Sequence, residues 1–371
     1  MAREIVVAGA GMVGASVVYR LAGLGARVTL VDAAEPGAGT SASSFAWFNA
    51  HQKPPRAYHD LNAAGMAEHA ALAREFGAAP WYHPTGALEW ATTPEGDAAL
   101  ARNAERLRAW DYPVEAVETA RVARELEPGL ALDPAAVPRV WLTPGEGWVD
   151  APLLVRTLVA AAKERGATVL TQSAVVGIEE AGGRVGGVRL ADGARLAADA
   201  VVDCAGPAAA DVAALAGVRL PIERVPGLLA VSAPGPAPRH VCHAPEIAFR
   251  PDATGGVLMG HAETLDRTID ADTPLDPPPP ACAELLARTA RWWPAAARAG
   301  LAAARIGVRP VPADGVSVVG PAPDLAGFYV AVTHSGVTLG PLLGRLVAEE
   351  LAGGETAALL APFRPARFAA R

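Results

Sequence analysis

An α/β fold built on a doubly wound parallel sheet is what this sequence predicts, on three observations near its start. Ile5-Val6-Val7 is a β-branched run with the character of a buried strand. Gly9-Ala10-Gly11-Met12-Val13-Gly14 follows at once and leads into a helical pattern through Leu21. A second apolar run, Val28 to Val31, ends in Asp32. Strand, glycine-rich turn, helix, strand and acid form the complete context of the Rossmann-type dinucleotide fingerprint.

Each position in that stretch has a physical task. Gly9 allows the tight turn, Gly11 allows the backbone to approach a pyrophosphate, and Gly14 lets helix and strand pack closely. The unpaired N–H groups at the helix start, Met12 and Val13 among them, sit at the positive end of the helix dipole and suit a phosphate. Asp32, with Ala33 beside it, is the acid expected to accept hydrogen bonds from a ribose hydroxyl.

Further along, residues 33–55 are rich in Gly, Ser, Ala and Pro and read as a loop. Thr40, Ser41, Ser43 and Ser44 either bond a phosphate or ring edge or merely cap a helix. Helical patterns cover Tyr58 to Glu75, Ala98 to Trp110 and Ala120 to Glu127, with short strands in Trp81 to Ala91 and Val140 to Leu142. An amphipathic helix from Asp150 to Lys163 ends near the C-cap Gly166 and precedes a strand at Thr168 to Leu170. Strands at Val175 to Glu179, Val185 to Leu190 and Arg195 to Ala198 form a meander, and Ala200 to Cys204 is a buried strand closing on Gly206. Leu220 to Trp293 is β-rich and punctuated by prolines, with Pro277 to Pro280 read as an exposed bend and Leu285 to Trp293 as a helix. Strands at Ala304 to Val308 and Phe328 to Val332, then a helix from Pro341 to Leu351, close the chain.

Composition narrows the function classes. The 371 residues carry 51% hydrophobic and 19% charged side chains, which suits a packed globular protein of two domains. A net charge of −7 and the lack of any basic block argue against a nucleic-acid partner. Cys204, Cys242 and Cys282 are odd in number and widely spaced, the pattern of a reducing compartment without zinc or disulfides. The chain enters its first strand too early for a signal peptide, and no apolar run reaches the roughly 18 residues of a membrane span. The expectation is a cytoplasmic protein that does not enter a membrane.

These pieces together resemble the FAD-dependent amino-acid oxidase family that includes glycine oxidase, sarcosine oxidase and D-amino-acid oxidase. The resemblance spans nearly the whole chain. It is carried by GAGMVGASVVYRLAGLGARVTLVD, GTSASS, EGWVDAPLLVRTLVAAAKERGATV, VVDCAGPAAADVAALAG, FRPDATGGVLMG, GVRPVPADGVSVVGPAP and FYVAVTHSGVTLGP. It implies a discontinuous FAD domain over 1–80, 144–216 and 301–371. A second, α+β substrate domain over 81–143 and 217–300 would carry a large, mostly antiparallel sheet. The dinucleotide is then FAD, bound without a covalent link, because no cysteine lies in the Arg-Pro segment where sarcosine oxidases have one.

Site residues follow from the same resemblance. Thr40 and Ser41 correspond to the loop near the pyrophosphate and Val175 to the residue whose backbone meets adenine, and Gly206, on which the buried strand from Ala200 ends, is expected to contact FAD too. Ser335, Gly336, Val337 and Thr338 correspond to the turn facing the flavin N1–C2 edge, where positive potential favours reduced flavin. Arg309 matches the arginine that clamps a substrate carboxylate through a two-pronged hydrogen bond; the alternative is a surface arginine paired with Asp314. His51 and His334 are candidates for setting the protonation state of the amine, or else are structural histidines. Asn49 is expected beside the substrate.

Departures from the family pattern bear on specificity. A tyrosine of glycine oxidase is replaced by Ala248, a second arginine is missing from THSGVTLGP, and Leu258 stands where sarcosine oxidase has a lysine. The resemblance with these losses implies a roomier site and a bulky amino acid or N-substituted glycine, such as an N-carboxymethyl amino acid of bacterial secondary metabolism. Arg250 or Arg56 would meet a second carboxylate. Oxygen would be the electron acceptor and hydrogen peroxide a product. The alternatives are a flavin dehydrogenase of an amino or 2-hydroxy acid that uses another acceptor, and a non-catalytic flavin-binding module. The oligomeric state has no signature in the sequence.

Overall fold

A computed structural model describes residues 3–354 and 356–368. The outer ends of the first and last predicted sections, residues 1–2 and 369–371, and residue 355 lie outside the described residues. A six-stranded sheet runs in the order Val318–Pro321, Phe328–Val332, Ala200–Asp203, Glu4–Ala8, Arg27–Val31, Thr168–Leu170. All neighbours are parallel except the outermost pair at the Val318 edge. The meander Val175–Ala181, Arg184–Leu190, Arg195–Ala197 is a separate three-stranded sheet.

The inner parallel strands Glu4–Ala8, Ala200–Asp203 and Phe328–Val332 are almost wholly buried because helices cover them. Helices Met12–Gly23, Ala151–Glu164 and Gly336–Leu351 pack into one apolar cluster with them. Asp150 caps the second of these, its side chain accepting from the Leu153 N–H at 3.0 Å. The first and last helices cross closely through glycine. A Cβ on Gly344 would lie 2.5 Å from Ser16 Cβ, and one on Gly340 2.4 Å from Met12 Cγ. Mid-helix glycine costs about 1 kcal/mol relative to alanine; burial of Leu339, Leu342, Leu343 and Val347 offsets it.

An eight-stranded sheet is the second layer. Its order is Leu301–Pro312, Ile222–Ser232, Val257–Gly260, Ile247–Pro251, Val241–Ala244, Ala87–Glu89, Arg139–Thr143, Glu115–Glu118. Val241–Ala244 and Ala87–Glu89 are parallel, and the other pairs are antiparallel. Helix Pro280–Trp292 backs this sheet through Cys282 and Leu285. The strand Leu301–Pro312 pairs along Ile222–Ser232 and so belongs to this layer, not to the nucleotide-binding section in which a boundary at 301 puts it.

Three elements depart from the sequence reading for local reasons. The prolines at 277–280 do not all lie in a bend, since Pro280 opens a helix, where its missing N–H costs nothing. Ala120 to Glu127 is a short α-turn, Thr119–Arg121, running into a π-helical turn, Val122–Leu126. The last long helix begins at Gly336 and carries Pro341 in its interior. Pro341 has no N–H to offer the Val337 carbonyl one turn back. His69 Nε2 lies 2.7 Å from that carbonyl and takes the missing partner's place. Among the described residues no helix is long and apolar enough to cross a membrane.

Candidate active site

Between the two layers lies a cavity of about 640 Å³. Its walls come from the glycine turn, the 32–53 loop, the start of the last long helix, and the strands carrying Gly227 and Arg309. Gly9 holds φ +103°, and its N–H donates to the Val31 carbonyl at 2.8 Å. A Cβ on Gly14 would sit 1.8 Å from the Gly9 carbonyl oxygen, so the helix could not approach the turn with any larger residue there. Gly14 is therefore a packing residue behind the cavity, while Gly9, Gly11, Met12 and Val13 line it.

Asp32 is fixed by its own neighbourhood. Its Oδ2 accepts from the Ala10 N–H at 2.5 Å and its Oδ1 from the Ala34 N–H at 2.7 Å. Asp32 and Ala34 line the cavity, and Ala33 does not. Ser41 Oγ accepts from the Met12 N–H at 3.1 Å, occupying one of the free donors of the helix start. Thr40 lines the cavity but gives its hydroxyl proton to the Val308 carbonyl at 2.6 Å. The loop thereby ties the nucleotide layer to the large sheet.

Gly206 lines the cavity beside the glycine turn, where Ala205 lies against Gly9; at the other end the lining residues are Ser335 to Thr338 and Asn49. Tyr58 donates to Ser335 Oγ at 2.9 Å, and the Asn49 N–H donates to Thr338 Oγ1 at 3.3 Å. The first-turn N–H groups of helix Gly336–Leu351 give this end a positive dipole. Asn49 Oδ1 is buried with no partner among the described residues. A buried amide in that state suits a bound group with donors of its own.

Arg309 reaches the cavity from the large sheet. Its guanidinium lies against Gly227, where a Cβ would come within 3.2 Å of the guanidinium carbon. Nη2 donates to the Pro226 carbonyl at 2.9 Å and to Asp266 Oδ2 at 3.0 Å. Nη1 has no partner among the described residues, so part of the fork is free for a ligand. Asp314, the alternative partner, is instead bound by Arg367 at 2.7 Å. Burial pushes the Asp266 carboxyl up, despite hydrogen bonding by the Leu228 N–H and the charge of Arg309.

His334 and His261 open onto the same space. The protein around His334, with the charges of Lys53 and Arg309, pulls it down to about 4. His261 is likewise held well below its usual value, by desolvation and then by surrounding cationic groups. Both are neutral at physiological pH. Lys53 lines the cavity too, and burial brings it down to about 8.

Several of the expected site residues lie elsewhere. His51 is buried behind the wall, with Nδ1 2.8 Å from Glu146 and Nε2 3.3 Å from Glu89. Burial would depress its pKa, but the two carboxylates outweigh that and push it up to about 10. It is a structural cation rather than a proton acceptor for substrate. Arg250 is buried in a separate crevice, donating to the Phe45 carbonyl at 2.5 Å and to Pro251, its guanidinium 4.6 Å from the Trp148 ring centroid. Ala248 packs in an apolar cluster with Phe45, Trp47, Trp148 and Leu258, so neither Ala248 nor Leu258 enlarges the cavity. Val175 stands in the three-stranded sheet away from the cavity lining. Arg56 is exposed and paired with Asp60 at 2.6 Å.

Lys53, Trp47, Tyr58, His261 and Asp266 are lining residues that sequence reasoning passed over. Lys53 had one visible signal, being one of two lysines in the chain beside Lys163. His261 follows the Val257–Gly260 strand, at the end of a block that carries the family resemblance. The others owe their position to chain crossings that no local pattern reports.

The cavity suits FAD on its own features: an acid held at one end, glycines where a Cβ would intrude, and a helix start at the other. Comparison with known proteins agrees. The family model described as FAD dependent oxidoreductase matches residues 4–350. Glycine oxidase of Geobacillus kaustophilus is 30% identical over 373 residues, covering 97% of this chain and 96% of the relative. A subunit of the opine oxidase of Agrobacterium tumefaciens is 25% identical, covering 99% of this chain and 98% of that subunit. The crystal structure of the Geobacillus glycine oxidase superposes with a TM-score of 0.87 at 27% identity, covering 99% of this chain and 100% of that one. With the glycine turn, the acid and the far helix start all on one cavity, and with this match over most of its length, the chain belongs to the family of FAD dependent oxidoreductases.

Proposed function

We propose that the protein oxidises a carboxylate-bearing amine, an amino acid or an N-substituted glycine, releasing an imine that water hydrolyses. The six-stranded layer would hold FAD and the eight-stranded sheet would present the substrate. Bound FAD supplies the hydride acceptor and passes the electrons to oxygen, giving hydrogen peroxide. The chain's residues bind and orient. Arg309, with Nη1 unpartnered among the described residues and Nη2 anchored by Asp266, carries the reading: it offers a fixed cation to a carboxylate and so holds the adjacent Cα–H. His334 and His261, both neutral, accept a proton poorly, so the amine would enter as its minor neutral form or lose its proton to water. The relatives named for glycine and opine oxidation support an amine substrate.

The test is anaerobic bleaching of the yellow holoenzyme by a panel of amino acids, N-alkylglycines and 2-hydroxy acids. Amino acids or N-alkylglycines should bleach it, and peroxide should appear on admitting air. Bleaching by hydroxy acids alone would overturn the amine reading. Reduced flavin that persists in air would make the protein a dehydrogenase.

A further inference from the structure

Lys53 is a cavity residue to which the amine-oxidation reading above assigns no role. The cavity has two permanently or largely cationic side chains in its wall, Arg309 and Lys53. Arg309 is compensated by Asp266 at 3.0 Å. Lys53 has no hydrogen bond or ion pair to any described residue. The carboxylate whose charge it feels, Glu146, is wholly buried and already committed. Glu146 lies 2.8 Å from His51 Nδ1 and accepts from Tyr112 at 2.6 Å, from Trp47 at 3.1 Å and from two backbone N–H groups. Glu146 and Glu89 share the one His51 cation behind the wall, and Lys53 feels the Glu146 charge without touching either carboxylate, so its ammonium has no direct partner.

Its position is defined by its neighbours. Both Lys53 and Arg309 act on His334, and both act on His261. Lys53, Arg309, His261 and His334 all line the one cavity, together with the exposed Gln52 and Pro54. The other lining acid, Asp32, spends its oxygens on backbone N–H groups. An ammonium held partly out of water with no direct partner gains most from an anion that can touch it.

We propose that Lys53 binds a second carboxylate, so that the substrate is a dicarboxylate: a secondary amine with one carboxylate on Arg309 and another on Lys53. This rests on the amine-oxidation reading and narrows it. It also moves the second-carboxylate site from Arg250 and Arg56, which the cavity excludes, to the loop before the helix Arg56–Phe76.

The test uses the FAD-loaded enzyme and two ligands that cannot be oxidised as amines. Thiodiacetate replaces the amine nitrogen of iminodiacetate by sulfur and keeps both carboxylates; methylthioacetate keeps one. Each is titrated against the flavin absorbance spectrum in wild type, Lys53→Met and Lys53→Arg. Loss of one charged partner should raise the thiodiacetate Kd about tenfold to a hundredfold in Lys53→Met. The methylthioacetate Kd should stay within about twofold, and Lys53→Arg should keep most of the thiodiacetate affinity. Equal weakening of both ligands in Lys53→Met, or of neither, would overturn the assignment, as would wild type that prefers the monocarboxylate. These binding outcomes are independent of turnover, so failure here is separate from failure of the amine panel to bleach the flavin.

Discussion

At the scale of single residues, the charges near the cavity divide into those that are matched inside the protein and those left for a ligand. Glu146 is fully buried, and His51 is its counter-ion. Removing one member of a buried pair strands the other, at a cost of about 3–5 kcal/mol. His51→Gln should therefore lower the urea midpoint markedly. Because His51 does not line the cavity, the variant that folds should keep the substrate KM of wild type. A rise in KM with unchanged stability would instead return His51 to the site. Arg309→Met has the opposite signature: KM for a carboxylate-bearing amine should rise by about tenfold or more, with the FAD spectrum unaltered. Unchanged substrate affinity would remove the clamp. Both residues were visible in the sequence, but their partners were not: Arg309 reaches Asp266, 43 positions away, rather than Asp314. His51 finds Glu146 95 positions away, and no spacing rule reports that partner. Ala248 misleads for a related reason: its strand shows it to an apolar cluster with Trp47 and Trp148 instead of the cavity.

At the scale of elements, the glycine turn and the last long helix were legible to different degrees. The turn is a local device whose parts all lie between Ile5 and Asp32, so the pattern and the structure coincide. Gly14→Ala should yield protein that takes up little FAD, read as colourless protein on purification, since its Cβ would overlap the Gly9 carbonyl. The last helix hides its first turn, because Pro341 reads as a helix start and is in fact interior. What makes this tolerable is His69, on helix Arg56–Phe76, lying 2.7 Å from the Val337 carbonyl. His69 is buried, and burial pulls its pKa down to about 4, so it serves as a neutral donor. His69→Leu should cost about 1–3 kcal/mol through the orphaned carbonyl. Pro341→Ala should recover part of that loss by restoring a backbone donor. Additive effects of the two substitutions in a denaturant double-mutant cycle would show that they do not share this carbonyl.

For the whole molecule, the two layers meet across a cavity, and the groups that face or back it give stability a definite pH profile. The nucleotide-binding layer was readable from strand patterns and the large sheet from the family resemblance; the seam was not, because it rests on contacts such as Thr40 to Val308, 268 residues apart. His69 and His243 are buried, and burial pulls both pKa values down to about 4. Unfolding releases them to about 6.5, so between those values the unfolded chain binds more protons and stability falls as pH drops. His51 works the other way. Burial alone would lower it, but Glu146 and Glu89 raise it to about 10, so its contribution is complete below about 6.5 and fades as pH climbs. Lys53, held down at about 8 by burial, then opposes His51, because above that value the unfolded chain holds the extra proton. Urea midpoints of the holoenzyme should thus peak near pH 6.5, decline towards pH 8, and flatten between pH 8 and 9. In Lys53→Met the decline should continue through pH 9 without flattening, and in His51→Gln the alkaline decline should vanish while the acid limb stays. An alkaline limb unchanged in His51→Gln would mean that its charge is not the one that the fold holds against Glu146.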